Sequence, residues 1–267
     1  MKIKFNHLLF CLIISLSSND IYAQFVSIPD ANFITWLKTH GYSGCFNGNQ
    51  LDTTCNAVVN ATSISCTGAG IADISGIRYF DKLTLLQCNN NLLTSLPIFP
   101  PLLNSIDCSH NQLTSISIQS GSLKTFWCND NVISAITALP TGLTSLLCFN
   151  NQLSSLPPMP SGLTSLWCFS NHLTSLPNLS LLPLAQLLCN SNQLTSLPVL
   201  PSTLKTLKCG SNLIASLPTL SNGKWEPYKR SEEGGTHRIH IAPGGVLPGS
   251  AGVGRHTAQL GLRLPRP

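Results

Sequence analysis

Thiols are the residues of this 267-residue chain best able to do chemistry, and there are 11 of them. They could form disulfides, ligate a metal or act as nucleophiles, and their spacing separates these options. Cys88, Cys108, Cys128, Cys148, Cys168, Cys189 and Cys209 recur at intervals of 20 or 21 residues. A tetrahedral metal site needs ligands in short clusters such as C-x-x-C, which a regular column does not supply. No metal ligand and no cofactor is therefore assigned, and the column is expected to pack as small apolar side chains. Cys45 and Cys55 stand outside it, flank a Gly/Asn-rich loop and are the expected disulfide if the chain is exported.

Hydrolytic chemistry is the other possibility. Asp107, His110 and Asp130 fall close together in the repeat described below, and serines are abundant. A Ser/His/Asp set also needs a positioned nucleophile and an oxyanion site, and no G-x-S-x-G elbow occurs. No Glu precedes Glu226, which thins the supply of acid/base groups. His110 beside Asp130 is expected to be a surface pair of little energetic weight. No catalytic residue is assigned.

Composition narrows the class further. Charged residues make up 9% and hydrophobic ones 43%, which is not the balance of a disordered chain. No apolar run reaches the roughly 18 residues of a membrane span. The net charge is +5, yet between Gln24 and Leu220 six basic residues (Lys38, Arg78, Lys82, Lys124, Lys205, Lys208) balance six aspartates. A nucleic-acid partner would call for a basic stripe, and none is expected.

The elements that must position these residues come from the repeat. Aligned on the cysteines, each unit reads L-x-x-L-x-C-x-x-N-x-L-x-x-L, often followed by Pro. The Asn column is Asn91, Asn111, Asn131, Asn151, Asn171, Asn192 and Asn212. One unit cannot bury its own apolar edge, so stacked units must share a core. The L-x-C segment predicts a short strand, with Leu and Cys inward and their neighbours outward. The Asn side chains are placed to satisfy backbone groups where the chain leaves the sheet. Twenty residues leave too little chain for a full helix on the return side, and runs such as LPPMP (156–160) suit an extended polyproline-like path.

This pattern resembles the leucine-rich repeat, in the short Pro-rich form with 20-residue units found in bacteria. The resemblance implies a solenoid with a parallel, concave sheet. The segment IPDANFITWLKTHGYSGC is similar to the opening of secreted leucine-rich repeat proteins of the Bacteroidetes type. There Asp30 can cap a short helix with Phe33, Trp36, Leu37 and His40 on one face, closing the first coil.

The expected organisation is a signal peptide over 1–23, an N-terminal cap over 24–63, one loose and seven regular repeats over 64–220, and a basic tail over 221–267. The signal reading rests on Lys2 and Lys4, the apolar stretch from Leu8 to Leu16, and a cut after Ala23. The tail shows no sustained period and is expected to be disordered or foreign to the repeat.

Function, on this reading, sits in the outward columns. The residue before each cysteine runs Gln87, Asp107, Trp127, Leu147, Trp167, Leu188, Lys208; the residue after runs Asn89, Ser109, Asn129, Phe149, Phe169, Asn190, Gly210. Trp127, Leu147, Phe149, Trp167, Phe169 and Leu188 would form one exposed patch on the order of 15 Å wide, given strands ~4.8 Å apart. Such a patch marks a contact site for a protein or a glycan, or rings that merely shield the sheet. The expectation is a monomeric, exported recognition module; the alternative is a structural or adhesive surface protein whose repeats are spacers.

Overall fold

The structure, a computed structural model, describes residues 24–118, 122–218, 223–226 and 239–243. The expected signal segment lies outside the described residues. In chain order the elements are β1 (Phe25–Ser27), α1 (Ala31–Leu37), β2 (Phe46–Asn47), β3 (Gln50–Asp52), α2 (Asn56–Val59), β4 (Ser63–Ser65), β5 (Leu85–Gln87), β6 (Ser105–Asp107), β7 (Ser115–Ser117) and β8 (Thr125–Trp127). They continue with β9 (Ala135–Ala138), β10 (Ser145–Leu147), β11 (Ser165–Trp167), β12 (Gln186–Leu188), β13 (Thr206–Lys208), β14 (Gly223–Glu226) and β15 (Ile239–Pro243).

Strands β4, β5, β6, β8, β10, β11, β12 and β13 pair in parallel, side by side, into the sheet of a solenoid. The register is strict: Leu86 pairs with Ile106, Ile106 with Phe126, Phe126 with Leu146, and Leu146 with Leu166. The middle residue of each strand is buried, and so is the cysteine one residue past its end. The alternation expected from the sequence is therefore realised. A one-residue slip would turn the whole apolar set outward, which is what fixes the register.

Each strand ends in a tight turn that the sequence encodes twice. The residue two after cysteine adopts positive φ in seven repeats, as in Asn90 (57°), His110 (52°), Asp130 (55°) and Ser170 (52°). Asn, Asp and His tolerate that region better than other side chains. The next residue is the Asn of the repeat, and its side chain stitches neighbouring coils. Asn151 Nδ2 donates to the carbonyls of Cys128, Cys148 and Phe149 at 3.0–3.1 Å, while Oδ1 accepts from the backbone N–H of Ile133 at 3.0 Å. The same four-way pattern recurs at Asn111, Asn131, Asn171, Asn192 and Asn212. A buried amide with both ends satisfied leaves no backbone group orphaned at the coil boundary.

The return side divides by proline. Where a repeat carries Leu-Pro, the chain runs extended without strand pairing. Two successive repeats replace that pair with Ile116-Ser117 and Ile136-Thr137, and there β7 and β9 form a two-stranded parallel sheet of their own. Proline has no N–H to give to a ladder, whereas β-branched side chains favour one.

The N-terminal cap is pinned by one carboxylate. Asp30 Oδ1 accepts from the N–H of Phe33 at 2.8 Å, capping α1, while Oδ2 accepts from Ala72 at 2.7 Å and Asp73 at 3.1 Å in the first coil. Phe33, Ile34 and Leu37 are buried. The expected buried face differs in two members: Trp36 is half-buried and His40 exposed, their rings stacked 4.2 Å apart. The α-helical path stops at Leu37, and non-helical dihedrals at His40 and Gly41 carry the ring off the helix face. Gly76, in the turn after the first coil, sits so close that a Cβ there would lie 2.5 Å from Ile28 Cδ1 and 3.3 Å from the Phe33 ring.

At the other end, two short segments depart from the structureless tail expected after Ser221. β15 pairs antiparallel with β13, and β14 pairs antiparallel with β15. The last parallel strand presents an open row of backbone donors and acceptors, which a further strand can take up without any repeat motif.

Candidate recognition face

The outward residues of the sheet stand in register across neighbouring strands. Asp107 pairs with Trp127, Trp127 with Leu147, Leu147 with Trp167, Trp167 with Leu188, and Leu188 with Lys208. Because the period of a strand is two, the residue before each cysteine must face away from the core that the cysteine enters. The structure thus sets Trp127, Leu147, Trp167 and Leu188 in one row, with Phe149 and Phe169 in the row two residues on.

Exposure within that group is uneven. Trp127 is 40% exposed, the most open of the six. Leu147, Phe149, Trp167 and Phe169 are half-buried. The Phe149 and Phe169 rings stack 4.3 Å apart and nearly parallel, at 9°. Trp167 tilts against Phe149 with centroids 6.5 Å apart, and its indole N–H donates to Gln186 Oε1 at 3.2 Å. Leu188 departs from the expected exposure: it is only 8% exposed. The indole of Trp167 reaches to Gln186, on the strand that carries Leu188, and so lies toward that side chain. The rings therefore shield part of the sheet while still presenting edges and one open indole to solvent.

A polar cluster borders the aromatic rows; the sequence reading had paired His110 with Asp130 but had not joined Asn129 and Asn150 to them. Asp130 Oδ1 accepts from Asn150 Nδ2 at 2.8 Å, and Oδ2 accepts from Asn129 Nδ2 at 2.7 Å. His110 Nε2 lies 3.4 Å from the same Oδ2, with more than half of its side chain exposed. The signal was available: His110, Asp130 and Asn150 occupy one column of the repeat, brought side by side by stacking. No serine hydroxyl is hydrogen-bonded to the His110 ring among the described residues.

The thiols lie on the opposite side of the sheet. Cys66 and the seven ladder cysteines are buried and free, whereas Cys45 and Cys55 are joined, with Cα atoms 5.4 Å apart. Burial pushes the thiols up, to about 12 at Cys66 and Cys148 and to about 11 at Cys209. Cys88, Cys108, Cys128 and Cys168 are also raised, first by burial and further by neighbouring cysteines of the column. A thiol held protonated is a poor nucleophile and a poor metal ligand. No group of three or more His, Cys, Asp or Glu suited to a metal ion occurs among the described residues, and none of their helices is long and apolar enough to cross a membrane.

No protein-family model matches the chain, and no curated protein matches it by sequence. Solved structures do resemble it. YopM of Yersinia enterocolitica is similar with 35% identity and a TM-score of 0.50 over 52% of this chain and 31% of that one. The leucine-rich effector protein YopM of Yersinia pestis is similar with 27% identity and a TM-score of 0.54, over 59% and 45%. The leucine-rich repeat domain of a Shigella effector shares the fold at 23% identity and a TM-score of 0.52, over 59% and 72%. The chain thus spans less than half the length of either YopM structure. Parallel strands in strict register, a cysteine and an asparagine column at one coil spacing, and these likenesses together make this fold a leucine-rich repeat solenoid.

Proposed function

We propose that the chain is an exported, non-catalytic recognition module that holds a protein partner on the outward face of its parallel sheet. The observation that carries this is the row of large apolar side chains on adjacent strands, Trp127, Leu147 and Trp167, backed by the Phe149–Phe169 stack. Large aromatic side chains dominate protein contacts because they bury much area with few rotatable bonds. The likeness to bacterial leucine-rich effector structures supports the same reading. Export rests on the signal-like segment over 1–23.

A protein partner is favoured over a glycan by the ring geometry. Sugar faces need an open aromatic face, and Phe149 and Phe169 direct theirs at each other, leaving Trp127 as the open indole. The test is a peptide-display selection on the full chain, run in parallel on the Trp127→Ala, Trp167→Ala double variant. Sequences enriched on the parent and lost on the variant support the reading. Equal enrichment on both moves the weight to repeats that act as spacers. A saturable shift of tryptophan emission with a polysaccharide, absent in the variant, moves it to a glycan.

A further inference from the structure

We infer that the partner segment is an extended peptide of about seven residues, basic at one end, apolar in the middle and acidic at the other, lying across the strands from β6 to β13. This rests on the reading of the aromatic rows as the binding face, and it comes from the two opposite charges that flank the apolar stretch of one register row. From Asp107 the row runs through Trp127, Leu147, Trp167 and Leu188 to Lys208. The four residues between the charges are all apolar. Five strand steps separate the ends, ~24 Å at a spacing of ~4.8 Å, and an extended chain covers that in about seven residues at ~3.3 Å each.

The charges are positioned and available. Asp107 Oδ1 accepts from the backbone N–H of Ser109 at 3.0 Å and from its hydroxyl at 2.6 Å, which fixes the half-exposed carboxylate. Its Oδ2 accepts no hydrogen bond among the described residues. Asp130, in the turn after Trp127, adds a second carboxylate on the same side, held by Asn129 and Asn150. At the far end Lys208 has no side-chain hydrogen bond or ion pair among the described residues. Lys124 and Lys205 share the repeat column four residues before cysteine and stand off the row. The row is therefore acidic before the apolar residues and basic after them, although residues 24–220 as a whole are neutral. A ligand laid across the strands meets its charges only at its ends, and alternate side chains of an extended peptide would meet the apolar centre.

Calorimetry on the full chain with four synthetic peptides tests this. The dipolar probe is acetyl-Lys-Ser-Leu-Ser-Phe-Ser-Glu-amide; the others carry Gln at both ends, Lys at both ends or Glu at both ends. At low salt each matched end is expected to improve affinity about fivefold, an exposed pair being worth up to ~1 kcal/mol, and high salt should erase the gain. Asp107→Lys should make the doubly acidic peptide the tightest, and Lys208→Asp the doubly basic one. Equal affinities for all four peptides that collapse in the Trp127→Ala, Trp167→Ala variant overturn the dipolar inference and leave the aromatic face standing. Charge-dependent binding indifferent to that variant overturns both. Binding by none of the four overturns the peptide inference, and the display selection then decides the face.

Discussion

Raising the pH should unfold this solenoid earlier than its size alone implies, because the column of buried thiols must stay protonated for the fold to persist. Cys66, Cys88, Cys108, Cys128, Cys148, Cys168 and Cys189 are fully buried, Cys209 nearly so, and burial lifts each above the ordinary thiol value of 9.0. The folded chain therefore binds more protons than the unfolded chain above pH 9. Their contribution to stability is complete below that value and is lost as pH rises toward the folded values. At about pH 10 an unfolded thiol is roughly nine-tenths ionised, so each buried one costs a little over 1 kcal/mol, and eight cost roughly 11 kcal/mol. That is comparable with the whole stability of an ordinary domain. Urea titrations followed by far-ultraviolet circular dichroism, in reductant, at several pH values between about 7 and 10.5 measure the slope. Replacing Cys108, Cys128, Cys148 and Cys168 by Ala removes four of the eight and should cut the alkaline loss to roughly 6 kcal/mol at about pH 10, whatever the substitutions cost at neutral pH. Cys148→Ala alone should remove about an eighth of it. An alkaline slope that is the same in parent and quadruple variant refutes the argument.

Other perturbations separate the remaining devices of the fold. Asn151→Ala orphans the Ile133 N–H and removes one of the two asparagine bonds at each of the Cys128 and Cys148 carbonyls and should lower stability by about 2 kcal/mol in urea unfolding, with Asn212→Ala, at the less buried end, costing less. Asp30→Ala removes the helix cap and both bonds to the first coil; a loss of about 2 kcal/mol is expected, seen as faster hydrogen exchange at Ala72 and Asp73 than in the rest of the sheet. Ser170 holds φ at 52°, so Ser170→Gly should be the more stable of two variants and Ser170→Val the less stable, by about 1 kcal/mol or more in thermal melts.

How much of this was legible in the sequence follows from what repeats and what does not. The strand register, the inward cysteines and the bridging asparagines each recur seven times, so any single ambiguous position was settled by its column. The cap helix was legible through Asp30 and the Phe33/Leu37 pair, but not the place of His40, because a local loss of helical dihedrals breaks the period that placed it. The sheet formed by β7 and β9 went unread for a similar reason. It depends on two neighbouring repeats lacking proline at the same place, a property of the pair rather than of either repeat. Leu188 shows the limit of the period-two rule itself: the rule gives the side of the sheet, and the reach of a neighbouring Trp167 ring decides what remains exposed there.

The same division explains how such a chain can carry a binding face at little cost to its stability. Core and coil-to-coil bonding are assigned to the leucine, cysteine and asparagine columns, all pointing inward or along the stack. The side chains of the two outward columns add only scattered bonds to it, such as Trp167 to Gln186, and their residues differ from repeat to repeat while the inward ones do not. Substituting Trp127 therefore removes contact area from one face without opening a cavity, whereas the adjacent Phe126 is fully buried and its truncation to Ala would cost about 3–5 kcal/mol. Two neighbours on one strand thus carry separate roles, and a Trp127→Ala variant that folds like the parent is the physical condition for reading any lost binding as a loss of contact.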